Sequence, residues 1–142
     1  MSNTELNKAI ATAKEWLLTD PDAVTRAETQ HMIDAGEGAH EKLMTSFGKR
    51  LAFGTAGLRG TIGPGPGCMN RALVRRVSAA LAAYLLENVS DAAKRGIVVG
   101  HDARVGSKEF AADSAQIFSG AGFTVYKCPP LVPTPIVAFL LR

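Results

Sequence analysis

Long apolar runs are missing from this chain. No stretch reaches the roughly 20 residues that a membrane-spanning helix requires. The opening "MSNTELNKAIATAKEWLLTD" lacks the charged-then-apolar order of a secretory signal. Cysteine is scarce: Cys68 and Cys128 stand far apart and form no CxxC pair. They read as reduced thiols, and neither has the neighbouring base that a thiol nucleophile needs. These absences place the expected protein in the cytoplasm, with no membrane partner. One sign of charge is only slightly in excess, 16 Lys and Arg against 13 Asp and Glu, a net +3. That excess is scattered, which excludes the basic stripe of a nucleic-acid binder, although it suits small anions. Nucleotide loops are absent as well. "GPGPG" is not GxGxxG, and nothing matches GxxxxGK[ST]. His31, His40 and His101 share no metal-ligand spacing.

What is present is one domain's worth of chain, 142 residues with 46% hydrophobic content. Leu6, Ile10, Ala13 and Leu17 fall at helical spacing, so the pattern predicts a helix over 4–18. Asp20 with Pro21 is read as the cap and first turn of a second helix reaching about Ile33. A third helix is expected over 39–48, with Leu43 and Phe47 facing inward. After Arg50 the pattern changes. "LAFGTAG" predicts a strand entering a glycine loop, and "TIGPGPGC" is turn chemistry throughout. Asn70 is expected to cap a long helix over 71–88, whose buried stripe would be Leu73, Val77, Leu81, Tyr84 and Leu85. "GIVVG" and "FTVYKC" predict strands. Between them Ser107 is read as the cap of a helix over 108–119. "PPLVPTP" reads as an extended loop, with Thr134 and Pro135 opening a last helix.

The sequence therefore predicts an α/β fold. A helical extension, residues 1–48, precedes a β-α-β-α-β sheet covered by helices, residues 49–142, in which parallel or mixed pairing is expected. Ligands of such sheets bind beyond the carboxyl ends of the strands. "FGTAGLRG" and "HDARVGS" both follow predicted strands, which makes both loops candidates for that rim. The apolar "IVAFLL" at the end carries no capping glycine. It is read as a helix of a chain that continues.

"FGTAGLRG" places a single guanidinium, Arg59, among Gly54, Gly57 and Gly60. Glycine allows φ > 0 and lets a ligand approach the backbone. Arginine adds a fixed fork of five donors with a permanent charge. An anion clamp and a tight turn with a surface arginine are both open on these residues alone. In "HDAR", spacing favours Asp102 capping the loop backbone and Arg104 pairing with an acid. The other reading makes them the floor of an anion site. His101 with Asp102 reads as part of a turn rather than as a base and its orienter.

The octet, together with "DPDAVTRAE", "FGKRLAFGTAGLRG", "GPGPGCMN", "VVGHDARVGS" and "LVPTPIVAFLLR" in that order, resembles the α-D-phosphohexomutase superfamily, and within it the phosphoglucomutase/phosphopentomutase branch. The resemblance covers essentially the whole chain and implies the first domain of that fold. It implies a mutase that moves a phosphoryl group between the 1-position and the terminal hydroxyl of a phosphosugar. The route is a phosphoserine and a bisphosphate intermediate, with Mg²⁺ as cofactor and a sugar bisphosphate as activator. It implies phosphate contact by Arg59, with Thr55 and Gly57 beside it, and a shaping role for Gly54, Gly60, Asp102 and Arg104. The family's Ser-His-Asn-Pro phosphoserine loop does not occur in these residues, so the nucleophile and the Mg²⁺ ligands are expected outside them. The isolated chain is then expected to be inactive. A short, non-catalytic phosphosugar-binding or regulatory protein is the alternative. Hexose, pentose and amino-sugar phosphates all fit, because sugar contacts are expected in other segments.

Overall fold

The computed structural model describes residues 3–55 and 57–140. The chain divides into two compact units, one up to Leu73 and one from Val74 onward.

In the first unit, α1 (Asn3–Thr19), α2 (Ala23–Asp34) and α3 (His40–Phe47) enclose one core, with a 3₁₀ turn at Gly36–Ala39 before α3. The buried face of α1 is Ala9, Ala13 and Trp16, a four-then-three spacing. Leu6, Ile10 and Leu17, expected to lead that face, are only half-buried. The cause is Trp16. Its indole N–H donates to Asp20 Oδ2 at 2.9 Å and its ring meets Phe47 edge-on at 6.3 Å, which turns the helix toward α3. Burying Trp16, Leu43 and Phe47 contributes roughly 1.5–3 kcal/mol each.

Asp20 is not the cap of α2. Asp22 is, and its Oδ1 accepts from the Val24 amide at 2.9 Å. Asp20 is instead buried, accepting from Trp16, from the Thr25 hydroxyl at 2.7 Å and from the Asp22 amide at 3.0 Å. It ties the end of α1 to the start of α2.

The segment after Arg50 is also different from the expected first strand of the sheet. It folds back as a hairpin, β1 (Phe53–Gly54) against β2 (Gly57–Leu58), antiparallel with Phe53 opposite Leu58 and Gly54 opposite Gly57. Gly57, at φ +87°, makes that return possible.

The second unit is a right-sized βαβ element. β3 (Ile97–Val99) and β4 (Val125–Lys127) pair in parallel, with Ile97 opposite Val125, and α6 (Ser107–Gly120) connects them. Ile97, Val99 and Val125 lie on the face packed against Phe118, Phe123, Ala82 and Ala92. Phe118 and Phe123 meet edge-on at 5.8 Å. The pairing is thus mixed across two small sheets among the described residues, and the α/β class holds.

α4 (Arg71–Asn88) begins as expected, with the Leu73 amide donating to Asn70 Oδ1 at 2.8 Å. Its buried face is only partly the expected one. Leu85 packs on the core as expected and Leu73 and Val77 are half-buried, but Ser78 and Ala82 are buried and Leu81 and Tyr84 are exposed. Ser78 Oγ donates to Ser114 Oγ at 3.0 Å. A short α5 (Ala92–Arg95) precedes β3. Gly106, in the left-handed region, caps α6, so Ser107 is its first residue rather than its cap. Similarly, Pro133 flanks α7 (Thr134–Phe139) and Thr134 is its first residue. No residue of α7 is buried, and Ile136, Phe139 and Leu140 are exposed. Leu141 lies outside the described residues. No helix among them is long and apolar enough to cross a membrane.

Candidate functional site

Arg59 follows directly on β2 and is exposed. Among the described residues it has neither an ion pair nor a hydrogen bond. Thr55 lies exposed in the turn of the hairpin; Ala56 lies outside the described residues. The three glycines of the octet do three different things. Gly57 takes the left-handed backbone, and a Cβ there would meet nothing within 4 Å, so the space beside it is open. Gly54 has ordinary room, its nearest neighbour being the Gly57 carbonyl at 3.5 Å. Gly60 is a packing glycine, since a Cβ would press on the Leu51 side chain at 2.8 Å.

The hairpin stands on a rigid base. One foot is fixed by the Leu51 amide donating to the Pro66 carbonyl at 2.9 Å. The other is fixed by Met69 N donating to Thr61 O at 2.8 Å and Gly63 N donating to Met69 O at 3.2 Å. Pro66 lies in the "GPGPGC" turn and Met69 directly follows it. That turn is seated on the end of α3: Gly67 N donates to Ser46 O at 2.8 Å, and Cβ atoms at Gly65 or Gly67 would strike α3 carbonyls. Asn70 holds it from below. Its Nδ2 donates to the carbonyls of Gly65 at 2.8 Å, Gly63 at 2.9 Å and Cys68 at 3.2 Å. The sequence marked Asn70 as a helix cap and missed this clamp. The available sign was an asparagine immediately after a glycine-rich turn, where an aspartate or serine would cap equally well.

The second candidate loop follows β3. Asp102 Oδ2 accepts from Arg104 Nε and Nη2, both at 2.7 Å. Its Oδ1 accepts from the Arg104 amide at 3.1 Å and the Ser107 hydroxyl at 2.9 Å. The guanidinium, then the amide of Arg104, then the hydroxyl of Ser107 hold the Asp102 carboxyl well below the usual carboxylate range. The acid that pairs with Arg104 is therefore its own loop neighbour, and the pair is neutral. His101 Nδ1 lies 3.1 Å from the Asp102 carbonyl, and the His101 carbonyl accepts from Val132 N at 3.0 Å, a turn arrangement. A cleft of about 550 Å³ also opens in the second unit, beside Gly96, Val98, Tyr126, Lys127, Cys128 and Leu140. None of the candidate phosphate-binding or loop-shaping residues lines it.

Residues 50–142 match the alpha/beta/alpha domain I of phosphoglucomutase/phosphomannomutase. The chain belongs to that family. It is 41% identical over 128 residues to a probable phosphoribomutase of Schizosaccharomyces pombe, which covers 90% of this chain and 22% of the relative. It is 36% identical over 131 residues to the phosphopentomutase of Homo sapiens, covering 88% of this chain and 21% of the relative. A phosphoglucomutase of Staphylococcus saprophyticus is 37% identical over 102 residues, 72% of this chain and 18% of the relative. The chain thus spans about a fifth of the length of these curated relatives. No solved structure matches it significantly.

Proposed function

We propose that these residues form the phosphate-gripping part of a phosphosugar mutase, an intramolecular phosphotransferase of carbohydrate metabolism. In this reading a phosphoserine outside these residues transfers its phosphoryl to the free hydroxyl of a sugar monophosphate, giving a bisphosphate. The bisphosphate then returns its other phosphoryl to the serine, which exchanges the 1-phosphate for the 5- or 6-phosphate. Little covalent chemistry falls to the protein in phosphoryl transfer; positioning and charge stabilisation dominate. The observation that carries the reading is Arg59, an exposed guanidinium without a partner among the described residues, beside the open space at Gly57. Its fork can take two phosphate oxygens at once. Thr55 offers a hydroxyl on the same hairpin. The internally paired Arg104 shapes its loop rather than gripping the ligand. Pentose phosphates come first among the substrates, because relatives that cover 88–90% of this chain at 36–41% identity are named for phosphoribose and phosphopentose.

Mg²⁺ finds no ligand set here. Among the described residues no three His, Cys, Asp or Glu side chains come together, so no step through the ion is assigned to them. The reading is tested by titrating glucose 1,6-bisphosphate into the chain and following the Arg59 side-chain N–H by NMR. A saturable shift at Arg59 is expected. No shift there, with shifts elsewhere, overturns the reading. Under the same reading, purified chain with Mg²⁺, a pentose 1-phosphate and a sugar bisphosphate shows no mutase turnover. Measurable turnover would place the nucleophile within these residues.

A further inference from the structure

We infer that Asn70 is a positioning residue for Arg59, acting through the turn on which both feet of the hairpin stand. The inference rests on the reading that Arg59 grips phosphate. Its starting point is a hairpin that cannot hold itself. β1 and β2 share two residue pairs, and a two-stranded ribbon of that size has marginal stability in water. The place of Arg59 is therefore inherited from the base. One foot is bonded to Pro66, the other to Met69. Leu51 packs where Gly60 has no side chain, which holds the feet against each other.

The segment from Gly63 to Met69 is organised from a single buried side chain. Asn70 is 2% exposed. Its Nδ2 carries two N–H groups yet serves three carbonyls, those of Gly63, Gly65 and Cys68, so one N–H is shared. Its Oδ1 meanwhile accepts from Leu73 N. Capping α4 requires only the oxygen, which aspartate, serine or threonine supplies as well. The three donations require an amide. The choice of asparagine is thus explained by the turn and not by the helix. Losing the donors would strip the Gly63 and Cys68 carbonyls of the amide, leave Gly65 only the 3.3 Å bond from Cys68 N, and free the base to shift. Displacement of a gripping group by about 1 Å is enough to lose roughly a hundredfold in an oriented reaction.

The experiment separates position from simple stability. Asn70→Ser keeps a capping oxygen and removes the amide. In the 142-residue chain, amide exchange at Leu51 and Met69 and the affinity for glucose 1,6-bisphosphate are measured for four proteins: wild type, Asn70→Ser, Arg59→Ala and the double variant. Asn70→Ser is expected to keep α4 helical, speed exchange at both feet, and weaken binding about tenfold, while in the Arg59→Ala background it changes affinity less than about twofold, because interacting sites fail to add. Equal weakening in both backgrounds would assign Asn70 a general structural role and overturn the inference. So would unchanged affinity with faster exchange. If Arg59→Ala itself leaves the affinity unchanged, the underlying reading fails and the inference falls with it. Should Asn70→Ser not fold, Asn70→Asp restores a strong cap and is judged by the same criteria.

Discussion

Two loops of this molecule look alike on paper and behave oppositely in space. Each follows a short strand, each carries one arginine, and each has a glycine in the left-handed region, Gly57 in one and Gly106 in the other. In the first, Arg59 is exposed with no partner among the described residues. In the second, Arg104 spends both arms of its fork on a carboxylate two residues away. An arginine that answers its own loop cannot also answer a ligand without giving up that pair. The difference shows that a cation near glycines signals a binding site only where nothing nearby has already neutralised it.

The sharpest way to break this contrast is to remove each arginine in turn. Charge-assisted hydrogen bonds contribute roughly 1.5–3 kcal/mol each, so Arg59→Ala should weaken glucose 1,6-bisphosphate binding by about 10- to 100-fold. Arg104→Ala should leave it within about twofold, since exposed pairs contribute little beyond their own loop. Calorimetric titration of the two variants side by side decides it. Comparable losses from both would make the second loop a ligand contact and erase the distinction.

A smaller effect comes from the glycines. Forcing a side chain into the left-handed region is unfavourable by roughly 1 kcal/mol. At Gly57 no atom obstructs a new Cβ, so Gly57→Ala should loosen the hairpin and weaken ligand binding a few-fold, with little change in Tm. Gly106 starts α6, whose Phe118 sits in the core. Gly106→Ala should therefore lower Tm by about 4–8 °C and leave binding alone. Thermal unfolding combined with titration reads both. A Tm loss from Gly57→Ala matching that of Gly106→Ala would mean that the hairpin is part of the folding core.

The smallest effect is one of pH. The folded-state pKa of Asp102 is depressed, so its contribution is fully present above the ordinary aspartate pKa of about 3.9. It is lost as pH falls below that value toward the folded-state pKa. The Tm difference between wild type and Asp102→Asn should be constant from neutral pH to about 4 and shrink on further acidification. A difference that grows in acid would contradict the pairing with Arg104.

Much of this was readable in advance. The amphipathic runs gave α1 and α3, and Asn70 marked the start of α4 to the residue. The failures have physical causes. "DPD" offers two aspartates around one proline, and periodicity does not say which one caps; buried bonds to Trp16 and Thr25 claim Asp20. α4 carries apolar residues on nearly every side, so periodicity did not single out the face on which Ser78 and Ala82 are buried. The hairpin has too few pairs to show an alternating pattern. At the site, Arg59 was legible from its glycines. The clamp at Asn70 was not, because it depends on three carbonyls converging in space, which no spacing rule reports.

Trp16 gives the molecule one further property. It is the single tryptophan, it is buried in the first unit, and its indole is bonded to Asp20 and stacked edge-on against Phe47. Both tyrosines, Tyr84 and Tyr126, belong to the second unit and are largely exposed. Each half of the chain therefore carries its own chromophore. Indole emission during a denaturant titration reports when the helical core around Trp16 opens, and phenol absorbance reports on the residues after Val74. Coincident curves would mean one cooperative transition. Separated curves would resolve the melting of the two halves without a label or a mutation.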